Sequence, residues 1–130
     1  MTNGTERRIR IVAGDVALEA RLNATRTADA LWAALPITLR ASLWGDEIYG
    51  TIPVAPAPDD PLVATVDLGA VAVWPPGPAL CLFFGRTPAS QDDEIRPASP
   101  VVVIGSLLGD SQRLRAVRAG ASVTVERVAR

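Results

Sequence analysis

The sequence predicts a mainly β protein, one domain in which roughly eight or nine short strands outnumber two short helices. Three observations carry this. Apolar and polar residues alternate with period two through Val16 to Leu22, Ile37 to Trp44 and Ser122 to Val128. Breaks rich in Gly and Pro, at residues 13–15, 45, 55–61 and 75–78, cut the chain into short extended runs. Only two stretches change to helical spacing. A strand-rich chain of 130 residues hides its strand edges by closing into a barrel or by sandwiching.

The elements follow in order. Arg8 to Val12 and Val16 to Leu22 read as two strands joined by a tight turn at Ala13-Gly14-Asp15, where Gly14 is free to take positive φ. Thr27 to Leu35 reads as a helix. Thr27 is the expected cap, Asp29 suits the first turn, and Ala28, Leu31 and Leu35 share a face before Pro36 stops it. Trp32 lies beside that face and reads as core.

Ile37 to Trp44 returns to alternation, and after Gly45 the segment Glu47 to Pro53 is extended again. Residues 55–61, APAPDDP, form a surface loop. Ala70 to Trp74 and Ala79 to Phe84 are apolar strands around PPGP, and residues 85–100 are irregular. Val101 to Ile104 is apolar throughout, as a strand covered on both faces is. Asp110 or Ser111 opens a short helix carrying Leu114 and Val117, Gly120 ends it, and Ser122 to Val128 closes the chain as a strand.

Composition bounds the chemistry. There is no His, which removes Ser-His-Asp and Cys-His nucleophiles and imidazole metal sites. A single cysteine excludes an intrachain disulfide framework and a Cys-rich zinc site, and Cys81, inside ALCLFF, reads as a small buried hydrophobe. Net charge is −1, so the basic field that nucleic-acid backbones require is missing. All basic residues are Arg, which fits codon bias as well as function. Residues 1–7 read as a polar, flexible tail without the apolar core of a secretory signal, and residues 8–130 as the domain. No apolar run approaches the length of a membrane span. A cytoplasmic protein that binds neither membrane nor nucleic acid is the expectation, with neither metal nor organic cofactor.

Three blocks carry a family resemblance: LWGDEIYGTIPV from Leu43, VAVWPPGPALCLFFGRTPAS from Val71, and IRPASPVVVIG from Ile95. With their order and spacing they resemble the cyclophilin-like family of small prokaryotic proteins, over about Arg8 to Val128. The resemblance implies a closed, mostly antiparallel barrel of about eight strands with a helix covering each open end. Trp74 to Pro78 then becomes a rigid turn feeding the next strand, part of the scaffold, with Trp74-Pro75 a candidate cis bond.

The resemblance to true cyclophilins implies prolyl isomerisation only weakly. Their Phe-His-Arg block and Gln-Gly-Gly segment have no counterpart here, so no catalytic residue is assigned. Arg40, on the strand after the first helix, is the nearest candidate for the donor. Related barrels within allophanate hydrolase and 5-oxoprolinase subunits imply a third role, as an interaction module, and a homodimer stays open.

The expected function is binding of a small molecule or a proline-containing peptide in a groove. Its candidate residues stand where the apolar alternation breaks: Trp44, Glu47, Tyr49, Phe84, Arg86, Thr87, Arg96 and Ser99. Glu47 and Tyr49, two apart on an extended stretch, point the same way. Arg86 or Arg96 either answers Glu47 as an ion pair or holds a ligand carboxylate while Trp44 and Tyr49 stack on the ligand. Asp59-Asp60 and Asp92-Asp93-Glu94 read as solvated loop charge, neither having a calcium-loop arrangement. GDSQ at Gly109 to Gln112 opens the second helix and is only a generic anion-binding sequence.

Overall fold

A computed structural model describes residues 6–128. It is mainly β, with nine strands in a single, nearly closed, barrel-shaped sheet and two helices. In chain order these are β1 (Arg8–Ala13), β2 (Val16–Leu22), α1 (Arg26–Ala34), β3 (Ile37–Arg40), β4 (Ser42–Leu43), β5 (Glu47–Thr51), β6 (Ala70–Trp74) and β7 (Ala79–Phe83). β8 (Val102–Leu108), a 3-10 helix (Ser111–Ala116) and β9 (Ser122–Arg127) follow. The sheet order is β3-β9-β1-β2-β8-β6-β7-β5-β4, every pairing antiparallel.

The run read as one strand, Ile37 to Trp44, is two elements that close the barrel. Its first half pairs with β9 (Leu39 opposite Val123), and its second half pairs with β5 (Ser42 opposite Tyr49). At the change of partner, Ala41 exchanges backbone hydrogen bonds with Ala121 and Gly120 at 2.8 and 2.7 Å. Gly50 permits the closure. A Cβ there would lie 2.5 Å from both the Arg40 carbonyl oxygen and Leu39 Cδ1, so only glycine lets β5 approach β3 this closely.

The alternation seen in the sequence puts Ile9, Ile11, Leu18, Ala20, Leu39, Ile48, Val71, Leu82, Ile104 and Val125 inside the barrel. Leu31 of α1 and Leu114 of the 3-10 helix join the same core, which the scarcity of aromatics leaves to aliphatic side chains. Fully burying each such side chain stabilises by about 1.5–3 kcal/mol, which fixes the strand faces.

Over β6 and β7 the outer face is buried as well. Ala70, Ala72, Cys81, Phe83, Ile95 and Val101 form a second cluster, against which Tyr49, Val63, Val66, Trp74 and Val103 pack. Bridges Val63–Val101 and Val66–Ile95 hold the covering loops in place. This explains why AVAVW and ALCLF are apolar at every position: both faces are covered.

Several local expectations shift. Helix α1 starts at Arg26, and its cap is Thr25, whose hydroxyl accepts from the Ala28 amide at 3.1 Å. Thr27 turns instead to Asp60, donating its amide (2.7 Å) and hydroxyl (2.5 Å) to the carboxylate. Asp60 is thus not free loop charge: it ties the 55–61 loop to the start of α1, and the Thr27 hydroxyl foremost holds its carboxyl below the usual range. The cis bonds are Leu35-Pro36 and Gly77-Pro78, and Trp74-Pro75 is not among them. Of the expected N-terminal tail, residues 1–5 lie outside the described residues. Glu6 and Arg7 are held, by Arg8 and Arg21 (3.0 and 2.9 Å) and by Asp29 (2.7 Å) respectively. No helix among the described residues is long and apolar enough to cross a membrane.

Candidate functional site

On the outer face of the barrel, where β5 meets β7 and β6, the covering loops leave a pocket of about 230 Å³. Its walls are Trp44, Glu47, Tyr49, Trp74, Pro97 and Ala98. Strand register assembles it: Tyr49 stands opposite Cys81, which stands opposite Ala72, and Glu47 stands opposite Phe83. Glu47 and Tyr49 therefore share the outer face of β5, while Ile48 between them enters the core. Small residues on β6 leave room above the sheet, and Trp74, two residues after Ala72, projects on that same side. Its indole N–H donates to Ser99 Oγ at 2.7 Å, which pins the loop carrying Pro97 and Ala98 against the ring.

Glu47 is the unusual member. Its side chain is buried, with 6% exposure, and among the described residues its Oε1 has no hydrogen-bond partner. Burial raises its carboxyl from the ordinary 4.5 to about 7, opposed weakly by the Cys81 thiol beside it. Burial, with the charge of Glu47 next, pushes the Cys81 thiol well up, so it stays protonated and donates weakly to the Ala79 carbonyl at 3.8 Å. Neither arginine expected to answer Glu47 does so. Arg86 donates to the Ser90 carbonyl at 3.1 Å, and Arg96 pairs with Glu94 through contacts of 2.6 and 3.1 Å. A buried carboxyl with one oxygen left without a donor and no cation beside it is costly to keep in an apolar, aromatic pocket, a feature that clusters at functional sites.

Of the expected site residues, the structure brings Trp44, Glu47 and Tyr49 together in the pocket, with Ser99 behind Trp74. Phe84 is elsewhere: it is buried in the main core, and the Arg115 guanidinium lies over its ring at 5.2 Å. Arg86, Thr87 and Arg96 do not line the pocket. The Thr87 hydroxyl bonds the Arg96 carbonyl, and Ser90 Oγ accepts from the amides of Thr87 and Arg96 at 3.0 and 3.1 Å. These residues shape the loop that forms one wall. Asp46 turns away from Glu47, as adjacent strand residues do, and forms a two-pronged pair with Arg115 at 3.0 and 2.9 Å.

Arg40 is exposed on β3 and lines an adjoining groove of about 550 Å³ with Thr38, Ser42, Thr51 and Pro76. Tyr49 and Trp74 are walls of both cavities, so groove and pocket are continuous neighbours. Sequence reasoning missed Trp74, Pro97 and Ala98. Among the described residues no three Cys, Asp or Glu side chains gather as a metal site requires.

The barrel, its covering loops and the match of residues 7–126 to the cyclophilin-like family together define the class: this chain belongs to the cyclophilin-like family. It is similar to the hypothetical protein AF2241 from Archaeoglobus fulgidus, whose solution structure superposes with a TM-score of 0.82 at 45% identity, covering 98% of this chain and 100% of that one. It also resembles McbB, solved in complex with tryptophan, with a TM-score of 0.69 at 17% identity. That likeness is one of fold, covering 94% of this chain and 45% of McbB. No curated protein matches the chain.

Proposed function

We propose that this barrel is a small-molecule binding protein that seats one compact group of its ligand among Trp44, Tyr49 and Trp74, with Glu47 as the polar anchor. The observation that carries the reading is the buried Glu47 carboxyl, whose Oε1 has no hydrogen-bond partner among the described residues, in a concave aromatic pocket. A structural carboxylate at that depth would be paired. The volume sets the ligand's scale. About 230 Å³ is below the roughly 300–1,000 Å³ of drug-sized sites, so the pocket suits one ring or one head group. The rest of a larger ligand, or a peptide backbone, would continue along the groove past Tyr49 and Trp74.

A panel of small amines, acids and neutral ring compounds, including the tryptophan of the McbB complex, tests this by ligand-observed NMR. Ala98→Leu is the control, since Ala98 is an exposed rim residue whose enlargement closes the mouth without touching the core. Binding lost in that variant supports the reading. A panel without hits, or hits unaffected by Ala98→Leu, overturns it.

A second reading rests on Arg40. A guanidinium beside a groove that shares walls with an apolar pocket has the parts of a prolyl isomerase: a ring site and a donor to the imide. Cis/trans exchange of Xaa-Pro peptides, measured by NMR, tests it. Acceleration abolished by Arg40→Ala supports an isomerase, and unchanged exchange rates with wild-type protein reject it.

A further inference from the structure

We infer that the ligand group seated in the pocket is an organic cation, an alkylated or cyclic ammonium, held over the faces of Trp44, Tyr49 and Trp74 with Glu47 as its counter-charge. This rests on the small-molecule reading above and specifies its chemistry. Two tryptophans and a tyrosine line one cavity, the residue set from which aromatic sites for quaternary and alkylated ammonium groups are built. The one charged side chain lining the pocket is an acid, and among the described residues its Oε1 lacks a donor. An anionic ligand would face that carboxylate. A neutral donor could hydrogen-bond to it but would leave its charge unbalanced in an apolar setting.

Among the described residues, none of the groups around Glu47 carries a compensating positive charge. On its own strand the neighbour is Tyr49, on β7 they are Phe83 directly opposite and the neutral Cys81 thiol, and on β6 and the covering loop they are Trp74, Pro97 and Ala98, which carry no charge. The nearby cations are engaged elsewhere: Arg86 with the Ser90 carbonyl, Arg96 with Glu94, Arg115 with Asp46. Arg40 lies on the adjoining groove, not in the pocket. Among the described residues no cation therefore competes for the site.

Binding is consequently linked to protonation. The cation needs ionised Glu47, and burial holds that carboxyl near 7 in the free protein. Below that value the competent fraction falls about tenfold per pH unit, and apparent affinity falls with it. At pH 6 each binding event should release about one proton from Glu47 to the buffer, and at pH 8.5 almost none.

The experiment compares choline with its neutral isostere 3,3-dimethylbutan-1-ol, and cyclohexylamine with cyclohexanol, by titration calorimetry from pH 5.5 to 8.5 in two buffers of different ionisation enthalpy. In at least one pair the cation should bind at least tenfold tighter than its neutral partner at pH 8. Its affinity should drop about tenfold per pH unit below 7, with proton release. Glu47→Gln should sharply reduce the preference and abolish its pH dependence below 7, and the pH dependence and proton count of wild-type protein test the idea even if that variant folds poorly. Neutral members binding as tightly as the cations, with both blocked by Ala98→Leu, overturns the cation and leaves the small-molecule reading standing. Absence of binding by every probe here and by the wider panel overturns both.

Discussion

Replacing Glu47 by Gln tests the electrostatics of the pocket without any ligand. The Glu47 carboxyl titrates at about 7 in the fold against 4.5 ordinarily, because burial disfavours its charge. The folded state therefore holds this proton more tightly than the unfolded chain. Its contribution is fully present below about pH 4.5, is lost as pH rises, and levels off above 7. At about 1.4 kcal/mol per pH unit the loss totals about 3 kcal/mol, a large share of the roughly 5–15 kcal/mol that stabilises a domain.

The window is clean because the chain has no His. Glu6, Asp60 and Glu94 are held below their usual values by hydrogen bonds, foremost from Arg21, Thr27 and Arg96, so their contributions fall away at lower pH and with opposite sign. Urea unfolding at steps between pH 5 and 7.5 should show wild-type stability declining by about 2–3 kcal/mol. Glu47→Gln should be flat across the same window, offset throughout by the roughly 1–3 kcal/mol cost of an unsatisfied buried amide. A flat wild-type profile, or an equal slope in the variant, would refute the reasoning.

Other consequences follow from the packing. Phe83→Ala empties a fully buried ring site in the outer cluster and should lower unfolding free energy by about 3–5 kcal/mol in a urea titration. Gly50→Ala drives a methyl group into the Arg40 carbonyl and should open the β3–β5 seam, read as faster amide exchange in both strands. Cys81 should resist thiol reagents in the native state and react only at the unfolding rate, since its thiol is buried and protonated. Ser99→Ala removes the acceptor of the Trp74 indole and should cost about 1 kcal/mol while shifting the Trp74 indole N–H resonance upfield.

The fold was legible where chemistry is local. Alternation in Val16 to Leu22 and Ser122 to Val128, and helical spacing around Leu31, located elements to within a residue or two. What the sequence hid was set by distant partners. Thr25 and Thr27 are equally good caps by type, and Asp60, far along the chain, claims the second. Ile37 to Trp44 reads as one strand because nothing local marks where its partner changes from β9 to β5.

The same divide runs through the candidate site. Glu47 and Tyr49 share a face by simple periodicity, and Trp44 sits one turn away. Trp74 was obscured by the Pro-Pro-Gly-Pro that follows it, which marks a turn but says nothing of the strand residue before it. Phe84 looked available because it ends an apolar run, yet the register of β7 sends it inward under Arg115. Arg86 and Arg96 carried charge of the right kind, and their loop consumes it internally.

The most direct test of the central claim uses the three tryptophans as reporters. Trp44 and Trp74 wall the pocket, whereas Trp32 lies on α1 under the guanidinium of Arg127, at 4.6 Å. Indole N–H signals, assigned by substitution, are followed by proton–nitrogen correlation NMR as small-molecule probes are added at pH 8. The account predicts saturable shifts at Trp44 and Trp74 with Trp32 unmoved. Probes that shift Trp32 alone, or that bind and move none of the three, would contradict it.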